Sequence, residues 1–401
     1  PAKTPLRVLA GTPWRGPRHG ASSRSDCVAS FLSVYVRNWG VRNVQAIRVV
    51  DVGGVSPVRS QAVYHAVAYA MEEVTPDTIL LVTSFQPYVS VGYHQDATKE
   101  VDLEYCAQAG LPVVRREVGG GAVYLDRNQV FCQWIFHRER LPAKLEERFS
   151  LYIQPLVETY NQLGIPAYHR PINDIQVSGR KIGGTGAASI GLSEVVVGSL
   201  MFDFNHELMA RVLRVPSEKM RDKVFQSIQE YITTMRRELG YVPDREEVKA
   251  LYLQRCEQAL GRRVEPGILT EREWEVVKEL EERFSSEEWL YQKGGLRHSQ
   301  VVKIHADVHV AEVTHKAPGG LIRLTARMRE GRIDDLTISG DFTILPAWAV
   351  GALEQALRGL PMKPAAISQR IRDVYRALAV QAPGMSPEDL TQAVMLLEGA
   401  G

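Results

Sequence analysis

The chain has little that would tie it to metals, membranes or nucleic acids. Its four cysteines, Cys27, Cys106, Cys132 and Cys256, are scattered, with no CxxC pair and no histidine at zinc-finger spacing. That pattern excludes a cysteine-built zinc module and suits free thiols in a reducing cytosol, so a cytoplasmic protein is expected. No apolar run approaches the roughly 20 residues that a bilayer-spanning helix needs. Formal net charge is only +1, and no long basic run lies in the body of the chain. Nothing therefore marks a nucleic-acid-binding surface. Internal repeats and low-complexity tracts are also missing.

What is present is ordinary globular composition: 401 residues, 45% hydrophobic and 24% charged. That is enough apolar material for a sizeable core and enough length for two or three domains. Residues 1–45 stand apart. They carry Lys3, Arg7, Arg15, Arg18, Arg24, Arg37 and Arg42 against one acid, Asp26. They lack the continuous apolar core of a secretory signal, and a weakly ordered extension is expected there.

From about residue 46 the periodicity reads as α/β. Ser56-Pro57 opens a helix with a serine cap and proline at its first position. Strands are expected at Thr78–Val82, Pro87–Val91 and Leu111–Val114, with a brief helix over Leu103–Ala109. Two more strands follow a glycine cluster, at Ala122–Leu125 and Gln129–Phe136, and then a long amphipathic helix over Lys144–Leu163. Asp174–Val177, Lys181–Ala187 and Glu194–Phe204 read as strands of one antiparallel sheet. The short turn Ser178-Gly179-Arg180 is of hairpin length. Residues 205–294 turn helical and charged, with helices at Val224–Leu239, Arg245–Leu260 and Glu271–Arg283. Gly294-Gly295 reads as a hinge. Residues 296–401 read as a small α+β domain: strands at Val301–Val313, Leu321–Met328 and Arg332–Ile338, then three helices near Trp348–Leu357, Ala366–Leu378 and Pro387–Leu397.

Two segments carry chemistry. In Arg115-Arg116-Glu117-Val118-Gly119-Gly120-Gly121-Ala122-Val123-Tyr124-Leu125-Asp126, three glycines let the backbone turn tightly and approach a ligand. Their N–H groups can cradle an anion, and the paired arginines offer forked donors to a carboxylate or phosphate. A plain glycine turn between strands has the same composition. No helix pattern follows, so this is neither a dinucleotide fingerprint nor a GxxxxGK phosphate loop. In Asn173-Asp174-Ile175-Gln176-Val177-Ser178-Gly179-Arg180-Lys181-Ile182-Gly183-Gly184-Thr185-Gly186, a lysine stands between an acidic partner and a glycine stretch. There it can neutralise carboxylate and α-phosphate oxygens brought together. An exposed basic hairpin tip would look alike.

Taken together with Ser90-Val91-Gly92-Tyr93-His94-Gln95, these segments resemble, in order and spacing, the lipoate–protein ligase and octanoyltransferase superfamily. Lys219 and Lys223 resemble its later lysine-rich helix, Trp289 its closing tryptophan motif, and Gly340-Asp341-Phe342 the accessory C-terminal domain of two-domain ligases. The resemblance runs from about residue 46 to about 375. It implies an α+β fold of the class II aminoacyl-tRNA synthetase and biotin–lipoate ligase type. The sheet would be mixed and largely antiparallel, with a catalytic domain over 46–294 and an accessory domain over 296–401.

The activity it implies is activation of lipoic acid with ATP and Mg²⁺ to lipoyl-AMP, then transfer to a lysine of a lipoyl-domain carrier. Carriers of that kind are E2 subunits, the glycine-cleavage H protein or related lipoate-binding proteins. Lys181 would hold the carboxyl and phosphoryl oxygens. Asp174 would orient or deprotonate the acceptor lysine, or ligate Mg²⁺. Arg116, Gly119, Gly120, Gly121, Ala122, Tyr124, Asn173, Gly184 and Ala187 would line the lipoate and adenylate site. Three positions depart from the family: Leu125 replaces a common histidine, Val118 an often small polar residue, and Val197 precedes Gly198 where ligases often have histidine. Two rival readings remain. One is acyl transfer between carriers without ATP through a cysteine thioester, for which Cys132 is the only plausible thiol. The other is a non-catalytic carrier-binding module.

Overall fold

A computed structural model of the chain describes residues 46–293 and 308–399. The expected N-terminal extension over 1–45, the Gly294-Gly295 hinge and residues 301–307 of an expected strand lie outside them. The strands are β1 (Ile47–Val55), β2 (Thr78–Ser84), β3 (Tyr88–Val91), β4 (Val113–Arg115), β5 (Val123–Leu125), β6 (Gln129–His137), β7 (Ala167–Arg170), β8 (Asp174–Val177), β9 (Arg180–Gly184), β10 (Gly186–Ile190), β11 (Ser193–Met201), β12 (Val264–Pro266), β13 (Val308–Ala317), β14 (Gly320–Arg329) and β15 (Arg332–Gly340).

A six-stranded mixed sheet in the order β10-β11-β6-β2-β1-β12 forms the centre. Its inner strands are apolar on both faces because both faces are covered. On β2, Ile79 and Leu81 point to one side, where Tyr152, Leu156, Tyr252 and Cys256 of the helices Leu145–Gln162 and Arg245–Leu260 pack on them. Leu80 and Val82 point to the other, against Val63 and Val67 of the helix Pro57–Tyr69 and Val277 and Leu280 of the helix Glu271–Phe284. Ser56 caps the helix Pro57–Tyr69, its side chain accepting from Arg59 N–H, as the Ser-Pro pair predicts.

Smaller sheets carry the functional segments. In one, β3 pairs parallel with β4 and antiparallel with β5, so the chain between Arg115 and Val123 must loop around the end of β3. In another, β7, β8 and β9 are antiparallel. The β8–β9 connection is two residues, Ser178 (φ 48°) and Gly179 (φ 81°). Two successive positive φ angles match the right-handed twist of a tight hairpin.

Two expectations are corrected here. The strands expected at Asp174–Val177 and Lys181–Ala187 do not share one sheet with the strand near residues 194–204. The chain leaves the small sheet after Gly184 and enters the central one at Gly186. Thr185 is held at the switch by Asn173: its N–H donates to the Asn173 carbonyl (2.9 Å) and its carbonyl accepts from the Asn173 amide (2.6 Å). The helix expected over Val224–Leu239 is two helices, Glu218–Tyr231 and Met235–Leu239. The β-branched run Ile232-Thr233-Thr234 breaks it, and Thr233 N–H donates instead to the Lys181 carbonyl at 2.9 Å. In the C-terminal part, β13, β14 and β15 form an antiparallel sheet whose apolar face packs on the helices Ala349–Leu357, Pro364–Ala377 and Pro387–Met395. Among the described residues no helix is long and apolar enough to cross a membrane.

Candidate active site

The glycine loop is built from inside. Arg116 is buried, and its guanidinium is used on the loop's own carbonyls. Nη1 donates to Ser90 O (3.0 Å) and Ser90 Oγ (3.1 Å), and Nη2 donates to Gly119 O (3.0 Å) and Gly121 O (2.8 Å). Burial alone pushes its pKa down, yet an arginine stays charged. A cation therefore lies directly under the loop. The loop can close this tightly because Gly92 and Gly120 touch: a Cβ on Gly92 would fall 1.8 Å from the Gly120 carbonyl oxygen. Gly120 itself has φ +96°.

Arg115, fully buried, faces the other way. It donates to the carbonyls of Gly92, Tyr93 and Gln95 and to those of Trp289 and Leu290, while Trp289 Nε1 donates back to Arg115 O at 3.0 Å. Desolvation lowers its pKa to about 10. The tryptophan motif singled out in the sequence is thus the far anchor of the loop.

A histidine that the sequence reading passed over completes the frame. His65 Nδ1 donates to Gln61 O (2.6 Å) and Nε2 accepts the Glu117 N–H (3.2 Å). A carbonyl can only accept and an amide N–H only donate, so the ring is neutral with its proton on Nδ1. Burial lowers its pKa to about 3. Nothing in the helical pattern around residue 65 marks this role, because a core-facing histidine gives the same period. Tyr124 is buried with its hydroxyl on Asp126 Oδ2 at 3.1 Å. Ala122 packs with Val89 and Val91.

The lysine hairpin is more open. Lys181 Nζ lies 2.7 Å from Asp174 Oδ1, with side chains 35% and 20% exposed. Gly184 makes room for that amine, since a Cβ there would stand 2.9 Å from both Cε and Nζ of Lys181. Two residues on, a Cβ at Gly186 would stand 2.6 Å from Val118 Cγ1 and 3.3 Å from Gly119 O. One glycine stretch thus borders the lysine on one strand and the glycine loop on the next, and the structure brings the two segments together. Ala187, buried, turns into the central core beneath them. The three departures meet in one apolar cluster: Val118 is buried in it, and Leu125 and Val197 pack against it.

The C-terminal part also reaches this place. Gly120 N–H donates to the Phe342 carbonyl (3.2 Å), and a Cβ on Gly119 would meet that oxygen at 2.7 Å. The Phe342 ring stacks on His94 with centroids 5.2 Å apart. Arg323 pairs with Glu100 at 3.3 Å, and Lys99 pairs with Glu312. Gly340-Asp341-Phe342, read from the sequence only as a domain marker, is in direct contact with the loop.

The description "Lipoyl protein ligase A/B catalytic domain" matches residues 56–257, and "Bacterial lipoate protein ligase C-terminus" matches residues 310–394. The chain belongs to the lipoyl protein ligase A/B family. Octanoyltransferase LipM of Kyrpidia tusciae is 30% identical over 277 residues, covering 62% of this chain and all of that one. Lipoate-protein ligase LplJ of Bacillus subtilis is 28% identical over 281 residues, covering 68% and 79%. Among solved structures, the bipartite lipoate protein ligase of Thermoplasma acidophilum shares the fold with TM-score 0.57 at 24% identity, over 62% of this chain and 96% of that one. LipL1 of P. falciparum in complex with lipoate matches over 87% of this chain and 99% of that one, with TM-score 0.63 at 14% identity. The mixed α+β architecture implied by the motifs is therefore present, and the chain is an enzyme of the lipoate ligase and transferase family.

Proposed function

We propose that the protein is an ATP-dependent lipoate–protein ligase. The observation that carries this reading is the Lys181–Asp174 pair set beside Gly184, next to a glycine loop underlain by Arg116. In the first half-reaction a lipoate carboxylate oxygen attacks the α-phosphate of ATP, and pyrophosphate leaves with the P–O electron pair. Two anions must come together, and a pre-placed ammonium lowers that barrier without reorganisation. Lys181 supplies it, while Arg116 holds the loop in shape and adds positive charge beneath it. In the second half-reaction the acceptor lysine, once deprotonated, attacks the acyl carbon, and AMP leaves with the C–O electron pair. Asp174, touching Lys181, stands where it can steer that amine.

Mg²⁺ normally stays with the nucleotide phosphates and takes one or two carboxylates. Asp174 fits such a role only through Oδ2, because Oδ1 meets the Lys181 ammonium. Among the described residues no group of three or more His, Cys, Asp or Glu side chains forms a metal-ligand set.

Acyl transfer without ATP is the competing reading, favoured by the LipM relative. It needs an accessible thiolate. Among the described residues the cysteines, Cys106, Cys132 and Cys256, are all buried, and burial raises their thiol pKa values, Cys132 well above its ordinary value; Cys27 lies outside the described residues. Cys132 lies on β6 of the central sheet, in the core cluster with Trp134 and Tyr152. The ligase C-terminal match over residues 310–394 supports the same choice. That domain, touching Gly120 through Phe342, acts in this reading as a lid that must shift when a phosphate takes the loop N–H. The carrier is a lipoyl domain, in keeping with the E2 lipoyl domain named with the Thermoplasma ligase.

The test is lipoate-dependent release of pyrophosphate together with mass spectrometry of E2 and H-protein carriers given ATP and either lipoate or octanoate. Acyl transfer from an octanoyl carrier without nucleotide would overturn the ligase reading. Cys132→Ser is expected to keep most ligase activity; complete loss in a folded variant would point to a thioester.

A further inference from the structure

One side chain next to the Lys181–Asp174 pair belongs to none of the motifs. Tyr231 is the last residue of the helix Glu218–Tyr231, and its ring is 40% exposed. The chain then turns along β9, with Ile232 bridged to Lys181 and Thr233 N–H bonded to the Lys181 carbonyl. That fixes where the tyrosine stands. Two donors converge on its oxygen: Gln176 Nε2 at 3.1 Å and Arg170 Nη1 at 3.4 Å. Gln176 is itself oriented, because its Oε1 accepts from Tyr168 O–H at 3.1 Å. With Gln176 and Arg170 donating to the phenol oxygen, its single proton is left to be donated. Asp174 Oδ2 lies 3.5 Å away.

We infer that Tyr231 is a positioning residue for acyl transfer: its hydroxyl aligns the free oxygen of Asp174 toward the incoming acceptor lysine. The inference rests on the ligase reading above and concerns only its second half-reaction. Asp174 has two oxygens with different tasks. Oδ1 is held by Lys181, and Oδ2 must receive the acceptor ammonium. A carboxylate held at one oxygen only can swing about its Cβ–Cγ bond. The phenol O–H supplies the second restraint while leaving Oδ2 a lone pair for the amine. At 3.5 Å the contact is at the outer limit of a hydrogen bond, which leaves room for it to tighten as the amine arrives. The acceptor then gives up one proton to water at the partly open hairpin before attack and a second to water after the C–N bond forms, as AMP departs with the C–O electrons. Tyr231 keeps its own proton throughout.

The experiment separates the two half-reactions in the full-length enzyme. Wild type and Tyr231→Phe are given lipoate and MgATP, and acyl-AMP formation is read by pyrophosphate release. Transfer from preformed lipoyl-AMP to a lipoyl-domain carrier is then followed in single turnovers. Tyr231→Phe is expected to leave adenylate formation within about twofold and to slow transfer about tenfold, with the carrier concentration for half-maximal rate unchanged. The same change in an Asp174→Asn background is expected to add nothing, because the partner whose direction it sets is already gone. Equal slowing of both half-reactions, or an additive loss in the Asp174→Asn background, would reduce Tyr231 to a packing residue. Normal transfer by Tyr231→Phe in an enzyme that does make acyl-AMP would overturn this inference alone. A wild-type protein that makes no acyl-AMP would overturn the ligase reading and this inference with it.

Discussion

The glycine loop and the lysine hairpin adjoin each other but are built on opposite plans. In the loop both arginines are satisfied by buried acceptors: Arg116 by Ser90, Gly119 and Gly121, Arg115 by five carbonyls. In the hairpin the amine of Lys181 meets, among the described residues, the carboxylate of Asp174 and is one-third open. The loop is a shape, bought with buried arginines, and the hairpin is a reagent. Substitutions in the first are therefore expected to act through folding, and in the second through rate.

The sharpest test of that contrast is Lys181→Ala. Removing a pre-placed cation from a site of developing negative charge costs on the order of 10³-fold in rate. Acyl-AMP formation is expected to fall by about that factor, with the urea midpoint little changed because a partly exposed ion pair adds little stability. Undiminished adenylate formation would break the assignment. Arg116→Lys is expected to do the reverse. A single ammonium cannot span both carbonyl groups of the fork, and unpaired buried acceptors cost about 1–3 kcal/mol each. The urea midpoint should drop clearly, and activity should fall in step with the loss of folded loop. A stable Arg116→Lys protein with a specific rate defect would mean that Arg116 contacts substrate directly.

Gly184→Ala sits between these extremes. Its new methyl would crowd the flexible end of Lys181, with Asp174 Oδ1 at an ordinary contact distance of 3.7 Å, so the fold should tolerate it while the amine is displaced. Misplacement by about 1 Å can cost about 10²-fold. We expect a loss of 10- to 100-fold, by order of magnitude, at nearly normal stability, read by pyrophosphate release. Normal rates would show that the amine has room to spare.

How much of this was legible in the sequence follows the same division. The hairpin was readable because its signals are local: Ser178-Gly179 sets the turn, and Asp174 and Lys181 flank it within eight residues. The helix boundaries at Arg245–Leu260 and Leu145–Gln162 were readable from period and punctuation. The switch of sheets at Thr185 was not, since what decides it is Asn173, which the motif names but whose bonds to Thr185 depend on the third dimension. Nor was the inward turn of Arg116. A pair of arginines before glycines reads as ligand-facing, and only the path of the chain around β3 aims one of them at the loop's own carbonyls. His65 and Tyr231 lie on helices whose periodicity explains them fully as core and rim. Their partners, Glu117 and Asp174, are more than fifty residues away in sequence.

His65 also gives the smallest of these effects and the one that reads the loop's frame most directly. Its folded pKa of about 3 lies below the ordinary 6.5. Above pH 6.5 neither the folded nor the unfolded chain protonates it, and its two bonds count in full. As pH falls below 6.5, the unfolded chain binds a proton that the folded one refuses, so stability declines by up to about 1.4 kcal/mol per pH unit from this residue. His94, buried against Phe342 with its pKa also well lowered, acts in the same direction. Glutamine can reproduce both bonds of His65, donating to Gln61 O and accepting from Glu117 N–H, without titrating. His65→Gln is therefore expected to match wild type in urea denaturation near pH 7.5 and to lose about 1.4 kcal/mol less on going to pH 5.5. Parallel loss in the two proteins would mean that His65 protonates in the folded state, and with it that the loop can shed the Glu117 contact at no cost.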